Sequence, residues 1–412
     1  MKDILILGIV VLTALSSCKD TSHKKPTVNQ PMDMKMEEAS FGNDLEFLRK
    51  WDEKLIILSE GQARLVVSPK YQAKVFTSTA SAEQGKSLGW INYKAFGKSD
   101  PHMNAFGGEN RFWLGPEGNK FSIFFKPGTE MTFKNWRTPG PIDNESWSVA
   151  RALDTAATLT KEMRLTNYGG NELRIEAERT IKILNKQEAE TMLQLEIEGL
   201  QFVGFRTSNS ITNTGDAAWT KETGAPCIWI LDMFPPSDST VVMIPYRKDL
   251  KGEVATTDYF GEIPADRIKL KDGLLLFKAD GKARGKLGLS PARAKNIAGS
   301  YDAINRILTV ALFDVDPGAV YLNQEWNTEA DPFKGDAINA YNGGPLEDGS
   351  QMGPFYEIES VSPAAFLQVG ETLTHEHSVF HFSGDAKSLN RLTKILFGKE
   401  LHEITQMLKS AH

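Results

Sequence analysis

Cysteine is almost absent from this chain: its 412 residues hold two, Cys18 and Cys227. A chain this long can bury a core that needs no disulfide framework. Cys227 lies in the apolar run Pro226-Cys227-Ile228-Trp229-Ile230, where a thiol reads as a small buried hydrophobe rather than a nucleophile. Basic clusters are lacking too. The net charge is −6 and no Lys/Arg-rich run stands out, so the electrostatic footprint of a nucleic-acid partner is missing. Nothing after Leu15 is apolar over a bilayer-spanning length. Histidine is sparse: there are seven, and none falls between His102 and His375.

The start of the chain is informative. Lys2 is followed by an almost wholly apolar stretch from Ile4 to Leu15 and then by Ser16-Ser17-Cys18. That is a charged region, an apolar stretch too short to span a bilayer, and a small-residue cleavage site. Leu15-Ser16-Ser17-Cys18 also resembles a bacterial lipobox, in which the cysteine thiol carries the lipid. The expectation is a signal peptide over residues 1–17 and a lipid-anchored, flexible tether over 18–42. Residues 43–412 then form a domain at the periplasmic or outer-membrane face of the cell envelope, its only membrane contact the N-terminal lipid.

From Trp51 onward the pattern is short, β-branched and aromatic, with a period of two, and each run closes on Gly, Pro, Asn or Asp. Expected strands include Lys54 to Leu58, Ala63 to Ser68, Lys74 to Thr77, Leu88 to Asn92, Lys120 to Phe125, Leu159 to Leu165 and Leu173 to Ile183. Thr191 to Leu200, Ile228 to Met233, Val241 to Tyr246 and Ile307 to Phe313 follow. Helical spacing is confined to a short segment from Asn43 to Lys50 and to Ser388 to Leu408, where Leu389, Leu392, Ile395, Leu396, Leu401, Ile404 and Leu408 make an amphipathic helix. Many short strands without an internal boundary predict one large all-β domain.

Three segments carry a family resemblance. Gly107-Gly108-Glu109-Asn110-Arg111-Phe112-Trp113 is similar to the glycine-glycine-acid-x-arginine turn of the galactose mutarotase-like (aldose epimerase type) superfamily. Asn209 to Gly215, with Trp219, Glu222-Thr223-Gly224 and Trp229, resembles its central segment. Phe355 to Ser360, Ser362-Pro363 and Val369-Gly370-Glu371 resemble its closing strand and turn, with Val369 where proline is common. Within that superfamily the chain looks like its envelope lipoproteins more than its true aldose 1-epimerases. The resemblance implies a β-supersandwich of two large antiparallel sheets, with the short N-terminal helix and the C-terminal amphipathic helix outside it. It also implies a carbohydrate cleft in which a glutamate takes a proton from sugar and a second group delivers one. The family's acid histidine in the middle of the chain has no counterpart here. Fold alone does not decide between catalysis and binding.

Glu357 and Glu359 are the first candidates. Two apart on a strand, they share a face, and neighbouring carboxylates push one pKa upward. By resemblance Glu359 stands near the family's base. His102, in a loop before the glycine turn, is the candidate acid. Glu109 and Arg111 follow two glycines that permit close backbone approach; the arginine fork suits two adjacent hydroxyls or a uronate carboxylate. The polar stretch from Gln324 to Ser350 reads as a long loop offering Glu325, Trp326, Asn327 and Asn342 to a sugar, and Trp136, Arg137 and Trp147 are further candidates for lining the cleft. His375, His377 and His381 share a strand face and are weak candidates for a divalent metal at a sheet edge; otherwise no cofactor is expected. The function expected is a monomeric extracytoplasmic lipoprotein acting on a mono- or oligosaccharide by glutamate-mediated proton transfer, as an epimerase, lyase or glycosidase. The alternative is a non-catalytic glycan-binding lipoprotein of a polysaccharide uptake system.

Overall fold

The computed structural model describes residues 40–346 and 348–407. The expected signal peptide with Cys18, most of the expected tether, and Leu408 lie outside the described residues. Along the chain come α1 (Phe41–Arg49), β1 (Ile56–Glu60), β2 (Ala63–Ser68), β3 (Lys74–Thr79), β4 (Arg111–Gly115), β5 (Ser148–Ala152), β6 (Ala156–Thr166) and β7 (Glu172–Ile183). There follow α2 (Lys186–Leu193), β8 (Leu200–Asn213), β9 (Cys227–Phe234), β10 (Thr240–Pro245), β11 (Ile268–Lys271), β12 (Leu274–Lys278), β13 (Gly285–Leu289) and β14 (Ile297–Asp302). The last elements are β15 (Ile307–Phe313), β16 (Ile338–Gly343), β17 (Phe355–Val361), β18 (Thr372–Gly384), α3 (Ala386–Phe397) and α4 (Leu401–Met407).

These strands form the expected all-β sandwich. A ten-stranded antiparallel sheet runs β11-β12-β10-β14-β15-β18-β8-β7-β6-β5, and a five-stranded sheet runs β13-β16-β17-β9-β4. A third sheet, β1-β2-β3, joins them near the N-terminus. In β7 the inward set Leu173, Ile175, Ala177, Arg179, Ile181 and Ile183 is buried while the alternate residues face outward, as a strand half in contact with a core requires. The main core lies between the two large sheets. A second core forms where α2, α3 and α4 cover the outer face of the ten-stranded sheet: Leu193, Leu389, Leu392 and Ile404 pack there with Met243, Leu276, Val310 and Phe380. α1 closes a smaller aromatic cluster with Phe76, Phe96 and Phe106.

Five expectations need correction. Thr191 to Leu200 is not a strand: Asn185 and Glu188 form a reciprocal capping box that starts α2, and Leu200 begins β8. Lys120 to Phe125 lies in the long connection from β4 to β5, where Phe121, Ile123, Phe124 and Phe125 are buried without a strand ladder. Leu88 to Asn92 makes only an isolated bridge, Ile91 to Gly107. The C-terminal helix is two helices, since Gly398 at φ +70° caps α3 in the left-handed conformation. The stretch from Gln324 to Ser350 is likewise not all loop, because β16 occupies its middle.

Candidate active site

β17 is the central strand of the five-stranded sheet, and its alternation sends Glu357 and Glu359 to the face turned away from the sandwich core. In register, Glu357 stands opposite Met233 on β9 and Tyr341 on β16; Glu359 stands opposite Leu231 and Asn339. Arg111, at the start of β4, is in turn level with Leu231. Each carboxylate is gripped by its own cation from an edge strand. Arg111 bonds Glu357 through Nη2. Lys286, on β13, lies 2.9 Å from Glu359 Oε2, which also accepts the Trp229 indole N–H at 3.0 Å. The Lys286 ammonium rests over the Trp229 ring at 4.7 Å, and the Arg111 guanidinium over Trp113 at 5.3 Å. All four charged side chains are more than nine-tenths buried.

Loops roof this face. Trp136 and Trp326 stack with ring centroids 6.1 Å apart, and Trp326 packs edge-on against Phe125. Glu117, half-buried beneath them, is raised by its burial against the pull of Lys286 and of the Trp326 indole N–H. On the other side, Thr256 pairs with Gly288 of β13 and brings Tyr259 over Lys286; the Tyr259 hydroxyl donates to Asp336 at 2.7 Å. Gly288 matters here, because a Cβ would meet Asp336 Oδ2 at 2.2 Å and Asn339 Oδ1 at 2.5 Å.

Burial raises Glu357 to about 7, with Arg111 pulling it down and Glu359 pushing it further up. Lys286 is the reverse case: burial disfavours its charge, but Glu359 and Glu117 outweigh burial and hold the amine above its ordinary value. The face thus carries one carboxyl raised toward neutrality beside another that accepts hydrogen bonds from an ammonium and an indole. Among the described residues, Asn339 Nδ2 and Oδ1 and Arg111 Nε are buried without a hydrogen-bond partner, while the Trp136 indole N–H turns to Glu117. Buried polar atoms rarely stay unpaired, so several side chains here are available to a ligand.

The other sequence candidates scatter. His102 is half-buried in its loop, stacked on Phe133 at 4.4 Å, with Nδ1 beside Trp136 O and the Arg137 guanidinium; it bonds neither carboxylate. Glu109 does not accompany Arg111: it turns inward and accepts from Ser78 Oγ at 2.7 Å and His381 Nε2 at 3.0 Å. Asn342 faces the sandwich side of β16 and holds the turn before β13 through Gly281 N and Ala283 O. Asn327 is exposed and caps its own turn at Glu329 N. Glu325 is half-buried at the rim, near Asp336 and Tyr259 in the electrostatics, and Trp326 belongs to the roof. Trp136 lines the roof as well, whereas the Trp147 indole donates to Pro141 O and its ring packs on Phe112.

The three histidines of β18 are not an edge stripe. They point into the sandwich core, where each has a protein partner: His375 bonds Ser360 Oγ at 2.8 Å, His377 bonds Ser360 Oγ and Asp232 Oδ2, and His381 bonds Thr309 Oγ1 and Glu109. Among the described residues no three His, Cys, Asp or Glu side chains are grouped to hold a metal ion. Asp232 extends this network to Asn110 at 2.6 Å and thence to Arg179. Cys227 is fully buried and its thiol is pushed up to about 12 by that burial.

Sequence reasoning missed Lys286, Glu117 and Tyr259. Lys286 sits in Gly285-Lys286-Leu287, which looks like any short strand, and only the pairing β13-β16-β17 carries it to Glu359. Glu117 had one local signal, its place just after the glycine turn and β4.

The model of a family of unknown function matches residues 39–408. No curated protein matches the chain. Among solved structures, the Slr1438 protein of Synechocystis sp. PCC 6803 aligns at 13% identity over 80% of this chain and 96% of that one, with a TM-score of 0.50. A galactose mutarotase-like protein from Lactobacillus casei ATCC 334 aligns at 9% identity over 79% and 99%, with a TM-score of 0.49. A galactose mutarotase related enzyme from Lactobacillus acidophilus aligns at 10% identity over 80% and 98%, with a TM-score of 0.45. At such identities a likeness speaks of fold alone.

Proposed function

The chain belongs to DUF6786, a family of unknown function, and we propose from the site itself that it binds a sugar on the outer face of the five-stranded sheet and moves a proton on it with Glu359 and Glu357. One observation carries this reading: two same-face carboxylates, each held by a cation from a different strand, lie under stacked indoles with the unpaired Asn339 amide beside them. Indole faces pack on sugar C–H groups, while carboxylates and amides bind hydroxyls.

The division of labour follows from the partners. Glu359 is held as an acceptor by Lys286 and the Trp229 N–H, which suits it to take a proton from a sugar hydroxyl or carbon. Glu357, raised toward neutrality, suits the return of a proton to a neighbouring atom. Adjacent same-face positions on a strand lie roughly 7 Å apart, a separation that a single sugar ring fills. No histidine is needed in this scheme, in keeping with the position of His102 outside the pair.

The test is a panel of mono- and oligosaccharides offered to the full-length chain in detergent, read together by proton NMR and calorimetry. Turnover is expected, with Glu359→Gln lowering it by roughly a thousandfold, within the usual range for a lost acid–base group. The NMR spectrum of the product distinguishes epimerisation, elimination and hydrolysis. Binding that persists in both proteins without any change to the sugar would replace catalysis by glycan capture.

A further inference from the structure

Lys74 lies close to Arg111 and has no role in the chemistry above. It opens β3 and is 3% exposed, and its ammonium has no ion-pair or hydrogen-bond partner among the described residues. Its ammonium is held instead between the rings of Phe76 and Phe106, at 5.4 and 5.6 Å. The stem passes over Gly108, where a Cβ would meet Lys74 Cδ at 2.6 Å; Gly108, at φ +127°, therefore serves both the turn and the lysine's passage.

The surroundings leave this charge unbalanced. Burial lowers the Lys74 ammonium to about 7, and Arg111, which is spent on Glu357, and Arg179 both repel it. Asp143 attracts the ammonium but is occupied by Asn104, which gives it its backbone N–H at 3.0 Å and its amide at 2.7 Å. The segment from Trp136 to Asp143 packs on β4 through Gly140–Ile142 and adds a further donor: the Thr138 hydroxyl is buried and unpaired, as is Arg111 Nε. Immediately before Lys74, Gln72 and Ala73 both take left-handed conformations, at φ +64° and +49°, and the buried Gln72 amide has no partner. Strain of this kind persists where surrounding structure enforces it, and it gathers at ligand sites. The site is therefore polarised. Its Glu357–Glu359 end accepts hydrogen bonds, and its β4 edge offers donors and a surplus cation.

We propose that Lys74, with Arg111 Nε and the unpaired donors beside it, receives an anionic substituent of the substrate, so that the sugar handled at Glu357 and Glu359 is an acid-bearing one: a uronate, or a sugar carrying a sulfate or phosphate ester. This rests on the sugar reading of the same face and adds the substrate class. An ammonium buried without a counter-charge is costly, and a bound anion supplies that charge through charge-assisted hydrogen bonds.

The experiment compares galactose with galacturonate, galactose 6-sulfate and galactose 6-phosphate on the full-length chain by calorimetry, alongside Lys74→Met and Lys74→Arg, with a thermal melt of each variant. At least one acid sugar is expected to bind roughly tenfold or more tightly than galactose, about what one charge-assisted hydrogen bond contributes. Which acid it is separates the carboxylate from the two esters. Lys74→Met is expected to bring that acid down to the affinity of its neutral partner, and Lys74→Arg to retain the preference even if Lys74→Met folds poorly. Equal binding of neutral and acid sugars, or a preference that Lys74→Met leaves intact in a folded protein, overturns the inference and leaves the sugar reading standing. Failure of all four sugars to bind overturns both.

Discussion

Glu109 and Arg111 stand two residues apart, a spacing that places strand residues on one face, yet they serve opposite sides of the sheet. β4 begins only at Arg111; Glu109 still belongs to the turn that pairs with Phe76, and it faces the sandwich core. There it meets His381, while Asp232, His377, Ser360 and His375 form the neighbouring buried chain. These are structural residues that bond chiefly to one another, and Asp232 is their branch point: it accepts from Asn110 and from His377 while fully buried. Asp232→Ala leaves Asn110 Nδ2 and His377 Nε2 buried without an acceptor, so it is expected to destabilise the fold by roughly 3 kcal/mol, measured by urea unfolding. A loss under about 1 kcal/mol would mean that the network relaxes around the gap. The same residues mark how far the site was legible. The nearness of Glu357, Glu359 and Arg111 could be expected because period-two spacing and motif order are local properties, whereas Trp326 was expected only as part of a polar loop. Lys286 could not be expected there, because what makes it special is a pairing through β16 to a strand some seventy residues onward, and Asn342 misled because a one-residue step on β16 turns it to the opposite face.

At the scale of elements, strands that alternate, such as β6 and β7, or that form short apolar runs buried on both faces, such as β9, were the readable ones. β2, β6, β7, β9 and β15 follow their apolar spacing, and α1 follows its helical spacing from the Ser40 cap. Apolar runs without a partner strand, such as Lys120 to Phe125, have the same composition and a different fate, because a ladder depends on what lies alongside. α2 was missed although Asn185 and Glu188 spell its capping box, since the strand-like residues just after it outweighed eight residues of helix. The break between α3 and α4 is the clearest case of a single residue setting an element. Gly398 adopts φ +70° and a Cβ there would touch nothing within 4 Å, so the penalty of a side chain is purely one of backbone conformation. Gly398→Ala is accordingly expected to cost about 1 kcal/mol in urea unfolding, with the helical signal at 222 nm unchanged. A rise in that signal would show instead that α3 and α4 fuse, and that only the glycine keeps them apart.

For the molecule as a whole, the buried titratable groups set how stability varies with pH, and two of them oppose each other. His375, inside the sandwich, is lowered from its ordinary 6.5 to about 3 by burial, with His377 adding to the effect. Between those values the unfolded chain binds a proton that the folded one refuses, so stability from this group is complete above 6.5 and is lost as the pH falls toward 3. Glu357, on the outer face, is raised from 4.5 to about 7, chiefly by burial. Here the folded chain holds the proton longer, so stability declines as the pH rises from 4.5 through 7. Where the two ranges overlap, the slopes cancel, and a protein with a polar site on one side of a sheet and a polar core on the other has a flatter pH profile than either alone would give. Glu357→Gln removes one side of that balance. Relative to the native chain, the variant is expected to gain stability progressively between pH 4.5 and 7, at a slope of up to about 1.4 kcal/mol per pH unit, in urea midpoints measured across that range. A difference between the two proteins that does not change with pH would mean that Arg111 keeps Glu357 ionised throughout, and the proton-returning role would then pass to the half-buried Glu117 beneath the indoles.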